Sequence, residues 1–261
     1  TEILFALGAG GQVVAVSDYC TGPPEALGRP RVGGFVNPNL ERIAALAPDR
    51  ILTVGEAARL VRFGRAQGIA VTRLTMETVA DVTRAIRELG RITGREGRAR
   101  ELADRLAARL AAVGRRWGGG RPIPTLLVIA RTPGRLAGLM TCSGKSFLSE
   151  LLALAGGRNC FAAAPSRYLN PGLERVVAAA PEAILELAPD TRLWAGAAGG
   201  RPLTAERRRR LVADWQALPT LPAVRAGRIA VLGQPWLLVP SLHLPEIAEA
   251  MAKALHPEAG P

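Results

Sequence analysis

Few residues in this chain have the chemistry to react, and their spacing withholds most of it. The string TCSGKSFL at 141–148 ends like a phosphate-binding loop, in which Gly-Lys-Ser follows an earlier glycine at a fixed interval. The position that must be glycine is Leu139, and Gly138 falls one residue too early. Nucleotide binding is therefore not expected. What Ser143 and Gly144 can offer, at the start of a helix, is backbone N–H groups for an anionic or amide group of a ligand. Two histidines are present: His243 in VPSLHLPE, and His256 near the C-terminus. His256 is expected at the surface, whereas His243 follows the last strand, where it can either reach a ligand or serve a structural role. No HExxH, GxSxG or cysteine pair with metal-ligand spacing occurs. These residues predict binding without catalysis and without a resident metal or cofactor.

The aromatic residues carry more information, because they make up only 4% of the chain. Tyr19 follows the apolar run QVVAVSD, Phe35 and Tyr168 precede short helical segments, and Trp236 follows IAVLG. All four fall at expected strand C-terminal ends or helix starts, the edge at which open α/β sheets bind ligands. Such aromatics suit a large, flat, partly apolar ligand better than a small ion. Trp117, Trp194 and Trp215 lie in or beside helices and are expected to pack.

Two of these aromatics belong to a repeat. GFVNPNLERIAALAP at 34–48 is matched by RYLNPGLERVVAAAP at 167–181, every equivalent pair lying 133 residues apart. Each copy has an aromatic residue, Asn-Pro, Leu-Glu-Arg, a short apolar helix and a closing proline. Glu41 and Glu174 occupy the same place in their first helical turns, where a carboxylate is favoured by about 0.3–1 kcal/mol. That accounts for an acid at either position, but not for one string used twice. A pair of equivalent carboxylates can also dock a symmetric partner carrying two basic patches.

The elements around these residues alternate. Strands are expected at 12–18, 50–55 and 69–74, with helices at 39–47, capped by Asn39, and at 57–67. From 78 to 117 the pattern is helical, interrupted at Gly94 and Gly97, until GGGRPIP stops it. Strands at 124–131, 182–187 and 227–233 and helices at 145–156 and 245–255 complete the chain. The alternation predicts an α/β fold with parallel-type sheets in two lobes. Residues 1–93 are expected to form an N-terminal α/β lobe, 94–117 a single long helix between lobes, and 118–261 a C-terminal α/β lobe.

Bulk properties exclude some classes. The 261 residues carry a net charge of +12, but the arginines are interleaved with acids along helices. The densest run, Arg207–Arg210, has no aromatic residue between its charges for base stacking. A solvated helix face is expected there, and no nucleic-acid partner. No apolar run reaches the roughly 20 residues that span a bilayer. The chain opens at Thr1 without a leader, so any secretion signal is expected to be gone already. Cys20, Cys142 and Cys160 are an odd number, compatible with one disulfide or with three thiols.

VSDYCTGPPEA, VGGFVNPNLERIAALAPDRIL, SGKSFLSELLALAGGRNCF and LERVVAAAPEAIL, together with TEILFALGAG, resemble the periplasmic substrate-binding proteins of vitamin B12, haem and ferric-siderophore ABC importers. The resemblance covers nearly the whole chain and is nearest the cobalamin branch. It implies two α/β lobes joined by one rigid helix, with ligand in the cleft between them. It implies a corrinoid ligand, vitamin B12 foremost, with haem or a ferric siderophore as the alternative. Phe35, Tyr168 and Trp236 fall on cobalamin-lining positions, with Tyr19 beside them. Phe35, Tyr168 and Arg73 stand where tryptophans occur in the better-known B12 binder, and His243 stands at a typical arginine position. Glu41 and Glu174 fall where one glutamate per lobe pairs with arginines of the membrane permease. The implied protein is monomeric and periplasmic, or extracytoplasmic and lipid-anchored.

Overall fold

The repeat seen in the sequence is also a repeat of backbone geometry. Helix α3 (Leu40–Ala45) leads into strand β1 (Arg50–Val54), and helix α8 (Leu173–Ala179) leads into strand β7 (Ala183–Leu187). The two strands begin and end at equivalent positions. The helix starts match as well: Ile43 donates to the Asn39 carbonyl at 3.0 Å, and Val176 to the Gly172 carbonyl at 3.2 Å. Only the first copy has a side-chain cap, with Asn39 Oδ1 accepting from the Arg42 N–H at 2.9 Å. At the helix ends Ala47 and Ala180 both take φ 43°, the only non-glycine positive φ values among the described residues. Each precedes a proline, which disfavours the right-handed helical conformation. The left-handed turn lets each chain reverse from helix into strand.

The computed structural model describes residues 1–34, 36–132, 134–189 and 203–258. They fall into two units. Thr1–Met76 and Ala80–Arg105 belong to the first, and Glu77–Val79 with the described residues from Leu106 onward belong to the second.

In the first unit, α1 (Glu2–Ala6), α2 (Pro24–Leu27) and α3 precede β1, α4 (Ala58–Gln67) and β2 (Ala70–Leu74). Strands β1 and β2 pair in parallel, Arg50 opposite Ala70 through Val54 opposite Leu74. Ile43, Ala57 and Leu60 form a small core with Ile51 and Phe63 against it. The strand expected at 12–18 does not form. Residues 10–12 make a 3-10 turn, Val16 makes a single parallel bridge to Arg31, and Val14 is exposed. An apolar run without a ladder partner stays irregular.

Helix α5 (Val79–Thr93) buries Val82, Ile86 and Leu89 along its stripe. Gly94 at φ 66° then turns the chain, with the Arg95 N–H reaching the Gly90 carbonyl at 2.7 Å. Helix α6 (Glu96–Trp117) follows, burying Ala99, Leu106, Leu110, Val113 and Trp117.

The second unit is built on β3 (Ile123–Val128), β5 (Gly157–Asn159), β7 and β8 (Ile229–Leu232), in the order β5-β3-β7-β8 and parallel throughout. Every residue of β3 and β7 is buried, as expected of parallel strands covered on both faces. Helices α7 (Phe147–Leu154), α9 (Ala205–Ala213), α10 (Pro222–Arg225) and α11 (Leu244–Leu255) accompany the sheet. A short antiparallel pair, β4 (Thr141–Cys142) with β6 (Tyr168–Leu169), stands apart from it. Residues 77–79 dock on α7: the Phe147 N–H donates to the Glu77 carbonyl at 2.7 Å and the Val79 N–H to Glu150 Oε2 at 2.8 Å. The mixed α/β class with parallel sheets is the one the alternation predicts.

His256 is not a surface residue. It is half-buried, stacks on Trp117 with ring centroids 5.4 Å apart, and its Nε2 lies 3.1 Å from the Ala155 carbonyl oxygen. Closure of the C-terminal helix against α6 and α7 draws it in, which a position near the chain end does not reveal.

A charged network lies inside the second unit. Arg131, just past β3, donates from Nε to Glu186 Oε1 at 2.6 Å and from Nη1 to Asp214 Oδ2 at 2.7 Å. Its Nη2 reaches the Leu211 carbonyl at 2.9 Å, and the Trp215 indole N–H donates to Glu186 at 2.7 Å. The side chains of Arg131 and Glu186 are 2% and 4% exposed. Burial outweighs the guanidinium and raises the Glu186 carboxyl above its ordinary value of 4.5.

Two predictions follow from these features. Removing the cation strands a buried carboxylate, so Arg131→Met should lower stability by about 3–5 kcal/mol in urea titrations. The folded Glu186 keeps its proton to higher pH than the unfolded chain does. Its contribution is therefore full below pH 4.5 and is lost as the pH rises through the raised folded value. Glu186→Gln should flatten that fall. Separately, Ala47→Gly and Ala180→Gly should each raise stability by about 0.5–1 kcal/mol, the relieved left-handed strain exceeding the added freedom of the unfolded chain.

Candidate ligand-binding surfaces

In the first unit, Tyr19 sits on a turn that a single arginine holds. Arg31 donates from Nη1 to the carbonyls of Ser17 and Asp18, at 3.0 and 3.1 Å, and from Nη2 to that of Cys20 at 3.1 Å. The Asp18 N–H adds a bond to the Gly33 carbonyl at 3.1 Å. Tyr19 is 50% exposed and its ring lies over Gly34, where a Cβ would approach Cε2 to 2.6 Å. A side chain at that position would displace the Tyr19 ring from its present place. Phe35, the next residue, lies outside the described residues. Sequence reasoning missed Arg31, whose role is visible only once three carbonyls point at it.

Arg73 is exposed on β2, opposite Thr53. With Gly55, Glu56, Leu74 and Thr75 it lines an open depression at the C-terminal edge of β1 and β2. This edge is where a parallel sheet presents its loops to ligands. Glu41 is exposed in the first turn of α3.

In the second unit, Tyr168 lies in β6 opposite Cys142 and is 42% exposed. Burial of the rest of the ring raises its phenol above the usual value, partly offset by the Ser146 hydroxyl. Ser143 and Gly144 do not present free N–H groups. The Ser143 N–H donates to the Arg167 carbonyl at 2.8 Å, and the Gly144 N–H to the Ala162 carbonyl at 2.9 Å. Lys145 Nζ donates to the Pro165 carbonyl at 2.6 Å, and Ser146 caps α7 by accepting from the Leu148 N–H. SGKS is thus a frame for the 162–167 loop that delivers Tyr168, and the backbone N–H groups expected to face a ligand are paired within the chain. The donors are spent because the loop that follows β5 packs back on them.

Asn159 completes that frame and was not singled out in the sequence. Buried to 4% exposure, it donates to the Cys142 carbonyl at 2.8 Å and to Ser149 Oγ at 3.2 Å, and accepts from the Phe161 N–H at 2.9 Å. Cys20, Cys142 and Cys160 are free thiols. Burial pushes Cys142 and Cys160 to about 11, which keeps them protonated and unreactive near neutrality.

Trp236 follows β8 and is half-buried. His243, at the N-cap of α11, stacks on it with centroids 5.2 Å apart and planes 15° from parallel. Glu174 is exposed in the first turn of α8. Arg73 in the first unit and Trp236 in the second lie at or past the C-terminal ends of parallel strands, while Tyr19 sits on the turn held by Arg31 and Tyr168 in the antiparallel β4–β6 pair. Among the described residues, no group of three or more His, Cys, Asp or Glu side chains could hold a metal ion, and no helix is long and apolar enough to cross a membrane.

Two α/β units, each with parallel strands and partly exposed aromatic side chains, define the class of α/β binding proteins. The chain belongs to the periplasmic binding protein family, whose model matches residues 1–235. A vitamin B12-binding protein of Photorhabdus laumondii is 30% identical over 71% of this chain, which spans 66% of that relative's length. The solved structure of a periplasmic vitamin B12-binding protein from Vibrio cholerae matches 98% of this chain and 92% of its own, at 25% identity and a TM-score of 0.77. A periplasmic haem-binding protein from Pseudomonas aeruginosa matches 100% of this chain and 90% of its own, at 25% identity and a TM-score of 0.75.

The framing role of SGKS has a direct check. A Cβ at Gly144 would lie 2.9 Å from the Ala162 carbonyl oxygen. Gly144→Ala should therefore cost about 1–3 kcal/mol of stability, as overpacked sites do. A ligand cradle would instead lose affinity at unchanged melting temperature.

Proposed function

We propose that this chain is the substrate-binding protein of an ABC importer that captures a corrinoid, vitamin B12 or a close relative, outside the cytoplasm and delivers it to the membrane permease. The observation that carries the reading is the set of partly exposed aromatics, Tyr19, Tyr168 and Trp236, in a chain whose relative of 30% identity is named a vitamin B12-binding protein. Flat ring faces suit a macrocycle, and Arg73 in its open depression suits the polar groups at a macrocycle rim. Binding, without catalysis, is the whole of the chemistry assigned to these residues. Glu41 and Glu174, equivalent by the repeat and both exposed, are assigned to the permease. Phe35 completes the assignment from the sequence alone.

Haem is the second reading, favoured by the likeness to the Pseudomonas aeruginosa haem-binding protein. Iron would take a tyrosine as its phenolate, and the raised phenol of Tyr168 works against that. Equilibrium titration with cobalamin, cobinamide and haem should show corrinoid binding at micromolar concentration or tighter. Haem binding with a Soret band lost in Tyr168→Phe, and no corrinoid binding, would replace the main reading. Glu41→Lys together with Glu174→Lys should abolish transport in cells while leaving ligand affinity unchanged. Transport at the normal rate would return both acids to a purely helix-favouring role.

A further inference from the structure

Trp236 needs a support that its own loop does not supply. It lies in a turn held by two local bonds, Leu237 N–H to the Gln234 carbonyl at 3.3 Å and Val239 N–H to the Trp236 carbonyl at 3.0 Å. Its half-buried indole would be free to swing between rotamers if nothing backed the ring. His243 lies seven residues further on, on a much firmer element. Its carbonyl accepts the first helical bond of α11, from the Ile247 N–H at 2.9 Å, and its own N–H meets the buried Ser241 Oγ at 3.4 Å. Pro245 restricts the first turn, and Leu244, Ile247, Ala248 and Met251 bury the helix behind it. The imidazole stands on a buried helix terminus, with its ring almost parallel to the indole at 5.2 Å.

We infer that His243 is a positioning residue: its imidazole covers one face of Trp236, fixes the plane of the indole, and leaves the opposite face to receive a flat macrocyclic ligand. This inference rests on the corrinoid reading for the identity of the macrocycle, but the pairing of the rings stands without it. The assignment departs from the simplest one, in which an imidazole at a strand end touches the ligand itself. An imidazole stacked on the indole spends that face on the protein. A binding surface is more accurate when a residue on a rigid element holds the contacting side chain than when a loop alone does. Stacking between ring systems has a strength that corresponds to about twofold to tenfold in an equilibrium.

The test uses the full chain and begins without ligand. Comparison with Trp236→Phe isolates the Trp236 emission from that of the other tryptophans. In the wild type that component should have high anisotropy. In His243→Ala that anisotropy should be lost. In His243→Phe it should return. Cobinamide or cobalamin affinity should fall about threefold to tenfold in His243→Ala and recover in His243→Phe. Circular dichroism of each variant shows that the fold is retained.

An unchanged Trp236 signal in His243→Ala overturns the inference. So does failure of the phenylalanine to restore affinity, since the imidazole would then be a direct ligand contact. If the tryptophan signals behave as stated and no corrinoid binds the wild type, the corrinoid reading falls and the positioning of Trp236 stands.

Discussion

The second unit depends on one buried cation. Arg131 leaves the end of β3 and binds a carboxylate on β7, another at the end of α9, and the carbonyl of Leu211 within α9. Trp215, fully buried, adds its indole N–H to the same Glu186 oxygen. A charge placed there is expensive, and it is tolerated because both carboxylates and the carbonyl meet it at bonding distance. The apolar cluster of Leu126, Val128, Ile184, Trp215 and Leu221 closes around the same strands. The network thereby sets where α9 and the turn after it sit on the sheet. It does so more specifically than apolar packing, which tolerates sliding.

The repeated segments show how one local solution is used twice. In each, a helix of six or seven residues ends in a left-handed alanine before a proline, and a parallel strand follows. The turn geometry is shared, while the caps and neighbours differ. Asn39 caps α3 with its side chain, whereas Gly172 at the equivalent place has none to offer, and Asn170, the equivalent of Asn37, donates to the Leu139 carbonyl. The strands meet different surroundings too, β1 in a two-stranded sheet and β7 at the centre of a four-stranded one. Each copy exposes a glutamate on the first turn of its helix. One local solution thus sits in unlike surroundings in the two units.

Around the aromatic residues the same division of labour recurs. Tyr19, Tyr168 and Trp236 are partly exposed, and each is held by groups near it: the Arg31 clamp, the SGKS and Asn159 frame, and the His243 stack. The framing groups are polar and nearly all satisfied within the chain. Buried polar groups fully paired in this way hold a loop in one conformation, because any other leaves donors unmet.

The sequence alone determined the α/β class, the positions of β1, β2, β7, α4 and α11 to within a few residues, the break at Gly94 and the duplication. These follow from local rules: hydrophobic period, turn residues, and glycine where φ must be positive. It also placed Trp236 after the last strand, since strand ends can be read from the pattern. Only the tertiary structure decided what each marked residue does. The apolar run at 12–18 found no ladder partner and stayed irregular, and His256 was drawn against Trp117. Ser143 and Gly144 gave their N–H groups to the 162–167 loop, and His243 turned onto Trp236. Each outcome depends on a partner distant along the chain or on the packing of a whole helix. Local periodicity carries no information about which distant donor and acceptor will meet.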